Sequence, residues 1–278
     1  MRLVEADDRL ARPTRSEIDF GARVSMPAAL GVVLRYCLTE VQHADALAAA
    51  VDLLSADECD RCERFVRPAN RRDFAFAHAL LRRTLSDCGD RPPRDWRLIE
   101  GAGGKPELAP DVGCGARLSF NLSHTNGLVA CAVTKGRAVG VDVEAIDRRL
   151  AARELAGRFF SPAEARAVRS SIDSAVDERF IETWVLKEAF VKALGTGVGS
   201  RLNDFGFALD QPSTIRFEPP PGVAASRWRF AMFAPTGRHR LAIALENDGD
   251  GDASLVAQCV DGDSVGGELA PVRTSHQI

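Results

Sequence analysis

The sequence predicts an α+β fold: two pseudo-duplicated helix-and-sheet lobes related by a pseudo-twofold, with a ligand cleft between them. Two observations are the capping boxes Ser55-Ala-Asp-Glu58 and Ser161-Pro162-Ala-Glu164, each opening a short helix that a longer amphipathic one follows. The third is the set of strand-period segments behind each helical pair. Ser55 and Ser161 lie 106 residues apart, and the same offset carries His78-Ala-Leu-Leu-Arg82 onto Trp184 to Glu188, a match of pattern and not of identity. A chain of 278 residues suits two half-size lobes or one large domain. The predicted division is a loose leader over 1–28, an N-terminal lobe over 29–137, a C-terminal lobe over 138–246 and an acidic tail over 247–278.

The elements follow in order. Residues 1–28 carry mixed charge, Pro13 and Pro27 and no periodicity. Leu30 to Val41 alternates Val32, Leu34 and Tyr36 against Val33, Arg35 and Cys37 and predicts a strand, with a short helix near Asp45 to Leu53 behind it. The first capping box predicts a helix from Ala56 to Val66. Asn70 to Leu85 then places Phe74, Ala77, Leu81 and Leu85 on one side, with Gly89 as its stop. Trp96 to Glu100 and Arg117 to Leu122 are strand segments; Leu128 to Val133, a turn at Lys135-Gly136 and Ala138 to Glu144 read as a hairpin into the second lobe. Pro162 occupies the first helical position of the second box, and Glu178 to Leu194 is a long helix ended by Gly195. Asp204 to Leu209, Arg227 to Phe233 and Arg240 to Leu245 complete the strands, and Pro219-Pro220-Pro221-Gly222 is loop. The tail, rich in Asp, Gly and Ser, is predicted to be poorly ordered and without chemistry.

Composition narrows the function. Hydrophobic residues at 45% and charged residues at 27% suffice for a full core. No stretch is apolar over the roughly 20 residues a spanning helix needs, so no membrane is expected. Met1 to Ser25 is too charged for a secretory signal and seven cysteines are an odd number for a disulfide framework; the cytoplasm is the expected compartment. Cys59-Asp-Arg-Cys62 has no second pair and is read as non-functional. The net charge of -3 hides an asymmetry: from Glu246 onward seven carboxylates face one arginine, so the remainder is positive by three. Arg61 to Arg83 holds seven arginines against Glu63 and Asp73, which suits a phosphate or acidic partner and equally a solvated helix face. Aromatic residues are only 6% and none interleave with this run, which disfavours nucleic acid.

The carboxylates carry more chemistry. In a strand, Asp142 and Glu144 of Gly140-Val-Asp-Val-Glu144 project to one side while Val139, Val141 and Val143 face a core. Two parallel carboxylates repel unless both are solvated, as on an edge strand, or share a cation such as Mg²⁺, which takes remaining ligands from water and phosphate. Glu188 and Lys192 in Trp184-Val-Leu-Lys187-Glu188-Ala-Phe-Val-Lys192 are an i,i+4 pair; on a surface that is a minor ion pair, but the dense apolar surroundings predict that Lys187, Glu188 and Lys192 line a cleft. Gly104-Lys105-Pro106 is an extended turn, and Phe120-Asn-Leu-Ser-His124 runs from strand to turn, with His124 open to a structural or a functional role.

Together with Arg158-Phe-Phe-Ser-Pro-Ala-Glu164, these segments resemble the 4'-phosphopantetheinyl transferase superfamily in its larger, surfactin-synthetase-activating type, over about Leu30 to Leu245. The resemblance implies transfer of the 4'-phosphopantetheine group of coenzyme A to a serine of an acidic acyl or peptidyl carrier protein, with Mg²⁺, by a monomer. By position it makes Asp142, Glu144 and Glu188 metal ligands, with Glu188 also the general base. It gives Lys187 and Lys192 the task of offsetting charge on the phosphates, Lys192 with a catalytic part. Ser123, His124 and Lys105 match residues that bind the coenzyme, and the Arg71, Arg72 and His78 region matches a basic nucleotide-binding helix. Relatives often carry Arg where this chain has His78.

Overall fold

Two sheets packed face to face, each backed by one long helix, set where every site residue can point. The computed structural model describes residues 31–101, 106–110, 117–146, 151–195, 201–247, 254–261 and 264–275. The first half contains β1 (Val32–Leu38), α1 (Ala44–Val51), α2 (Ala56–Glu63), α3 (Pro68–Cys88), β2 (Leu98–Glu100), β3 (Pro106–Leu108), β4 (Leu118–Thr125) and β5 (Leu128–Lys135). The second contains β6 (Val139–Ala145), α4 (Ala152–Phe159), α5 (Pro162–Ser170), α6 (Val176–Leu194), β7 (Gly206–Ala208), β8 (Arg216–Glu218), β9 (Trp228–Phe233) and β10 (His239–Glu246), and the tail adds β11 (Leu255–Asp261), β12 (Ser264–Glu268) and β13 (Arg273–Thr274). The fold is α+β.

One sheet runs β12-β11-β1-β5-β4 and the other β13-β9-β10-β6, with β2-β3 and β7-β8 as separate ribbons. Period-2 alternation then sorts the side chains. Val32, Leu34 and Tyr36 of β1, Val139, Val141 and Val143 of β6, and Leu241, Ile243 and Leu245 of β10 meet between the sheets. Val33 and Cys37 face the other way, onto Leu81 and Leu85 or onto Phe76 and Leu80 of α3. Ala242 and Ala244 of β10 face Phe190 and the rest of α6. The layers are therefore α3, five strands, four strands and α6.

Both capping boxes form, with Ser55 accepting from the Glu58 amide and Ser161 from the Glu164 amide, and each glutamate reaching back to the serine amide. Each glutamate also receives a buried cation from the long helix. Arg82 of α3, 1% exposed, donates to Glu58 through Nε and Nη2, and Lys187 of α6, 0% exposed, lies 2.8 Å from Glu164. Burial opposes ionisation of Glu58, but its bond with His78, that ring's charge, the Ser55 amide and Arg82 together outweigh it and hold the carboxyl down to about 2.

The structure corrects the sequence reading at three places. The expected hairpin through Lys135-Gly136 is a crossover between sheets: β5 pairs with β1 and β4, whereas β6 pairs with β10. Gly136, at φ 66°, turns the chain there, and the true hairpin joins β4 to β5 through Asn126-Gly127, with Gly127 at φ 82°. Leu98–Glu100 stays out of the main sheet and pairs with β3 instead. The tail forms strands: β11 runs parallel to β1 and β13 pairs with β9, because Ala257 and Val260 bury apolar surface that its composition conceals.

Candidate active site

The site forms where β6, α6 and β4 converge. Gly140, Asp142 and Glu144 leave β6 on the side away from the valines in the inter-sheet core, toward α6. A Cβ on Gly140 would lie 2.0 Å from the Ala189 carbonyl oxygen and 2.5 Å from the Ala193 nitrogen, so only glycine lets the helix backbone lie on the strand. That contact brings Lys192 to Asp142. Its ammonium donates to Asp142 Oδ1 at 2.6 Å, to Ser123 Oγ at 3.0 Å and to the Val141 carbonyl at 3.2 Å. Ser123 in turn donates to Asp142 Oδ1 at 2.9 Å. The Glu188 carboxyl is pushed up, first by burial and then by the charge of Asp142, with Lys192 opposing and Glu144 adding to the rise. The charges of both β6 carboxylates thus reach Glu188.

β4 brings the imidazole. His124 keeps part of its surface in solvent, yet the protein around it lowers its pKa, as does Lys192, while Asp73, Glu144 and Asp142 pull it back up. Asp73 on α3 is buried and accepts from the Thr39 hydroxyl, and Arg72 Nε lies 3.6 Å from it. Asp73 and Thr39 were not foreseen; a carboxylate within a basic run counted only toward charge, and nothing local marks it as buried.

Other predicted residues lie elsewhere. Lys187 does not line the cleft. Its ammonium donates to the carbonyls of Leu202 and Phe205 at 2.7 and 2.6 Å, sits 4.3 Å from the centre of the Phe205 ring and pairs with Glu164. Helix geometry explains this, since positions 188 and 192 are about 40° apart around the axis whereas 187 and 192 are about 140° apart. Burial lowers its pKa, against the pull of Glu164. His78 bonds Glu58 at 2.8 Å and lies tilted against the Phe74 ring, so it ties α3 to α2. Arg71 donates to the carbonyls of Glu63 and Phe65 at the end of α2, which stops at Glu63, short of Val66. Lys105 lies outside the described residues.

A divalent cation suits the donor set without finding a finished cage. Among the described residues no group of three His, Cys, Asp or Glu side chains is arranged to hold a metal. Lys192 supplies positive charge at Asp142 Oδ1 instead, and Asp142 Oδ2 is buried with no hydrogen-bond partner. An acceptor without a donor, and a carboxyl raised by burial and then by two like charges, are both relieved by a hard dication.

Known proteins match along the same lines. The model of the 4'-phosphopantetheinyl transferase superfamily matches residues 138–244, and that of the 4'-phosphopantetheinyl transferase N-terminal region matches residues 42–136. The 4'-phosphopantetheinyl transferase HetI of Nostoc sp. is 32% identical over 196 residues, 70% of this chain and 80% of that protein. The 4'-phosphopantetheinyl transferase Sfp of Bacillus subtilis is 26% identical over 170 residues, 61% of this chain and 73% of that one. The crystal structure of the Thermotoga maritima holo-[acyl-carrier-protein] synthase aligns over 41% of this chain and 66% of that one, with a TM-score of 0.34 at 25% identity. With both halves matched in tandem and four fifths of HetI spanned, the chain belongs to the 4'-phosphopantetheinyl transferase superfamily and is a transferase of its larger, Sfp-like type.

Proposed function

We propose that this transferase moves the 4'-phosphopantetheine group of coenzyme A onto a serine of an apo carrier protein, releasing 3',5'-ADP, with Mg²⁺ required. The observation that carries the reading is the bond from Lys192 on α6 to Asp142 on β6, with Glu188 one turn earlier on α6 under the charge of Asp142 and Glu144. The serine oxygen forms a bond to the β-phosphorus while the bond from that phosphorus to the bridging oxygen breaks, and the hydroxyl proton passes to Glu188. Such a transfer asks the protein for positioning and charge neutralisation. Mg²⁺ bound by Asp142, Glu144 and Glu188 would supply charge neutralisation at the pyrophosphate. Lys192, already among these carboxylates, neutralises the phosphate side, and Ser123 keeps Asp142 oriented. His124 and Arg72 are the groups proposed to meet the nucleotide end, with Lys105.

The chain is read as lobes 29–137 and 138–246, related by a pseudo-twofold with the cleft at their junction. Support comes from the repeated device of a capping-box glutamate joined to a buried cation of the following long helix. Net positive charge outside the tail favours acidic carrier domains as acceptors, met by a monomer. The test mixes purified protein with Mg²⁺, coenzyme A and a panel of apo carrier domains. The carrier mass should rise by one phosphopantetheine group; no rise with any carrier, with the transferase folded, removes the reading.

A further inference from the structure

We propose that Asn121 and Thr125 are positioning residues of the carboxylate site, acting from β4 in place of the strand that β6 lacks on its open edge. The assignment rests on the reading of Asp142 and Glu144 as metal ligands. β6 ends its sheet and has β10 on one side only, and β4 ends the other sheet. The two edges run beside each other. Residues 121, 123 and 125 share one face of β4, opposite Leu118, Phe120 and Leu122, which pack toward α3. From that face Asn121 Oδ1 accepts the Val141 N–H at 2.9 Å and Ser123 Oγ accepts the Val143 N–H at 3.3 Å. The Thr125 hydroxyl donates to Glu144 Oε2 at 3.3 Å.

Residues 141 and 143 flank Asp142, so these two amides pin the backbone on both sides of one carboxylate while Thr125 aims the other. Asn121 is 4% exposed and acts through the backbone alone. An edge held by alternate side chains has half the anchors of a strand ladder, so each anchor bears more on where the carboxylates point. Groups that orient metal ligands change metal affinity or activity about 10- to 100-fold when removed.

The test uses the full chain with Mn²⁺ as probe, its binding followed by electron paramagnetic resonance without turnover. Thr125→Val should weaken Mn²⁺ binding about 10-fold or more, raise the Mg²⁺ concentration for half-maximal transfer in parallel and leave KM for the carrier unchanged; Thr125→Ser should restore both. Asn121→Ala should act in the same direction and speed amide exchange at Val141. Unchanged Mn²⁺ affinity in the folded Thr125→Val and Asn121→Ala variants overturns the proposal, as does equal loss in Thr125→Val and Thr125→Ser. Asp142→Asn separates the two readings. If it leaves Mn²⁺ binding intact, the ligand assignment fails and takes the proposal with it; if it weakens binding while the Thr125 and Asn121 variants bind normally, the positioning role alone is lost.

Discussion

Lys192 is the cation against a carboxylate that is 5% exposed, and Ser123 completes the triangle by bonding both. Removing one partner of a buried pair leaves the other uncompensated, a loss of about 3–5 kcal/mol when both are enclosed. The Lys192 side chain is 29% exposed, so solvent reaches the gap and about 2 kcal/mol is the expected loss. Lys192→Met should therefore lower the denaturant midpoint of the metal-free protein, and added Mg²⁺ should recover more stability in the variant than in the wild type. An unchanged midpoint would mean that Asp142 needs no cation. Much of this site was legible beforehand, because period 2 places Asp142 with Glu144 and an i,i+4 spacing places Glu188 with Lys192. Lys187 was misplaced by treating a buried helix as if all its charges faced one way. The helical angle between 187 and 192 already separates them, and the apolar surroundings that suggested a cleft are the core around Phe160 and Phe205.

Glycine punctuation decides which elements touch. Asn126-Gly127 carries the Asn-Gly hairpin signal that joins β4 to β5, whereas Lys135-Gly136 turns at a positive-φ glycine too but lacks the asparagine and ends a strand whose chain passes to the other sheet. Pairing partners distant in sequence complete the distinction: β5 finds β1 and β6 finds β10. The capping boxes were legible because their chemistry is local, four residues closing on themselves. Their link to Arg82 and Lys187 was not, since it spans more than twenty residues. Gly140 is the element-scale determinant of the site. Its missing side chain sets the approach of α6 to β6, and the Ala189 carbonyl at 2.0 Å from an added Cβ belongs to a helix backbone that cannot rotate aside. Gly140→Ala should push the helix outward, cost about 1–3 kcal/mol as an overpacked contact and cut kcat more than it lowers stability, because Glu188 and Lys192 move with the helix. Unimpaired turnover at an unchanged melting temperature would show that the close approach does not position them.

At the scale of the molecule the two sheets and two long helices form four layers, and the C-terminal strands cross between the sheets that family-matched residues build. β11 supplies β1 with a parallel neighbour, and β13 pairs with β9 of the other sheet. Composition misled here, since Asp and Gly between the strands set the average while Leu255, Ala257, Cys259, Val260 and Leu269 join or pack against the cores. β1 is legible from its own alternation and pairs with β5, whereas β11 becomes a strand through its pairing with β1. Ending the chain after Asn247 should strip β1 of its outer neighbour and remove these side chains from the cores. Three fully buried equivalents at roughly 1.5 kcal/mol each give about 4–5 kcal/mol, a large fraction of the stability of an ordinary domain. An uncovered edge at β1 also invites pairing between molecules. The truncated protein should therefore unfold at lower denaturant and elute partly as aggregate on size exclusion. A truncated chain that stays monodisperse with its midpoint intact would mean that the strands only decorate a body already complete, and that β1 is held by β5 and α3 alone.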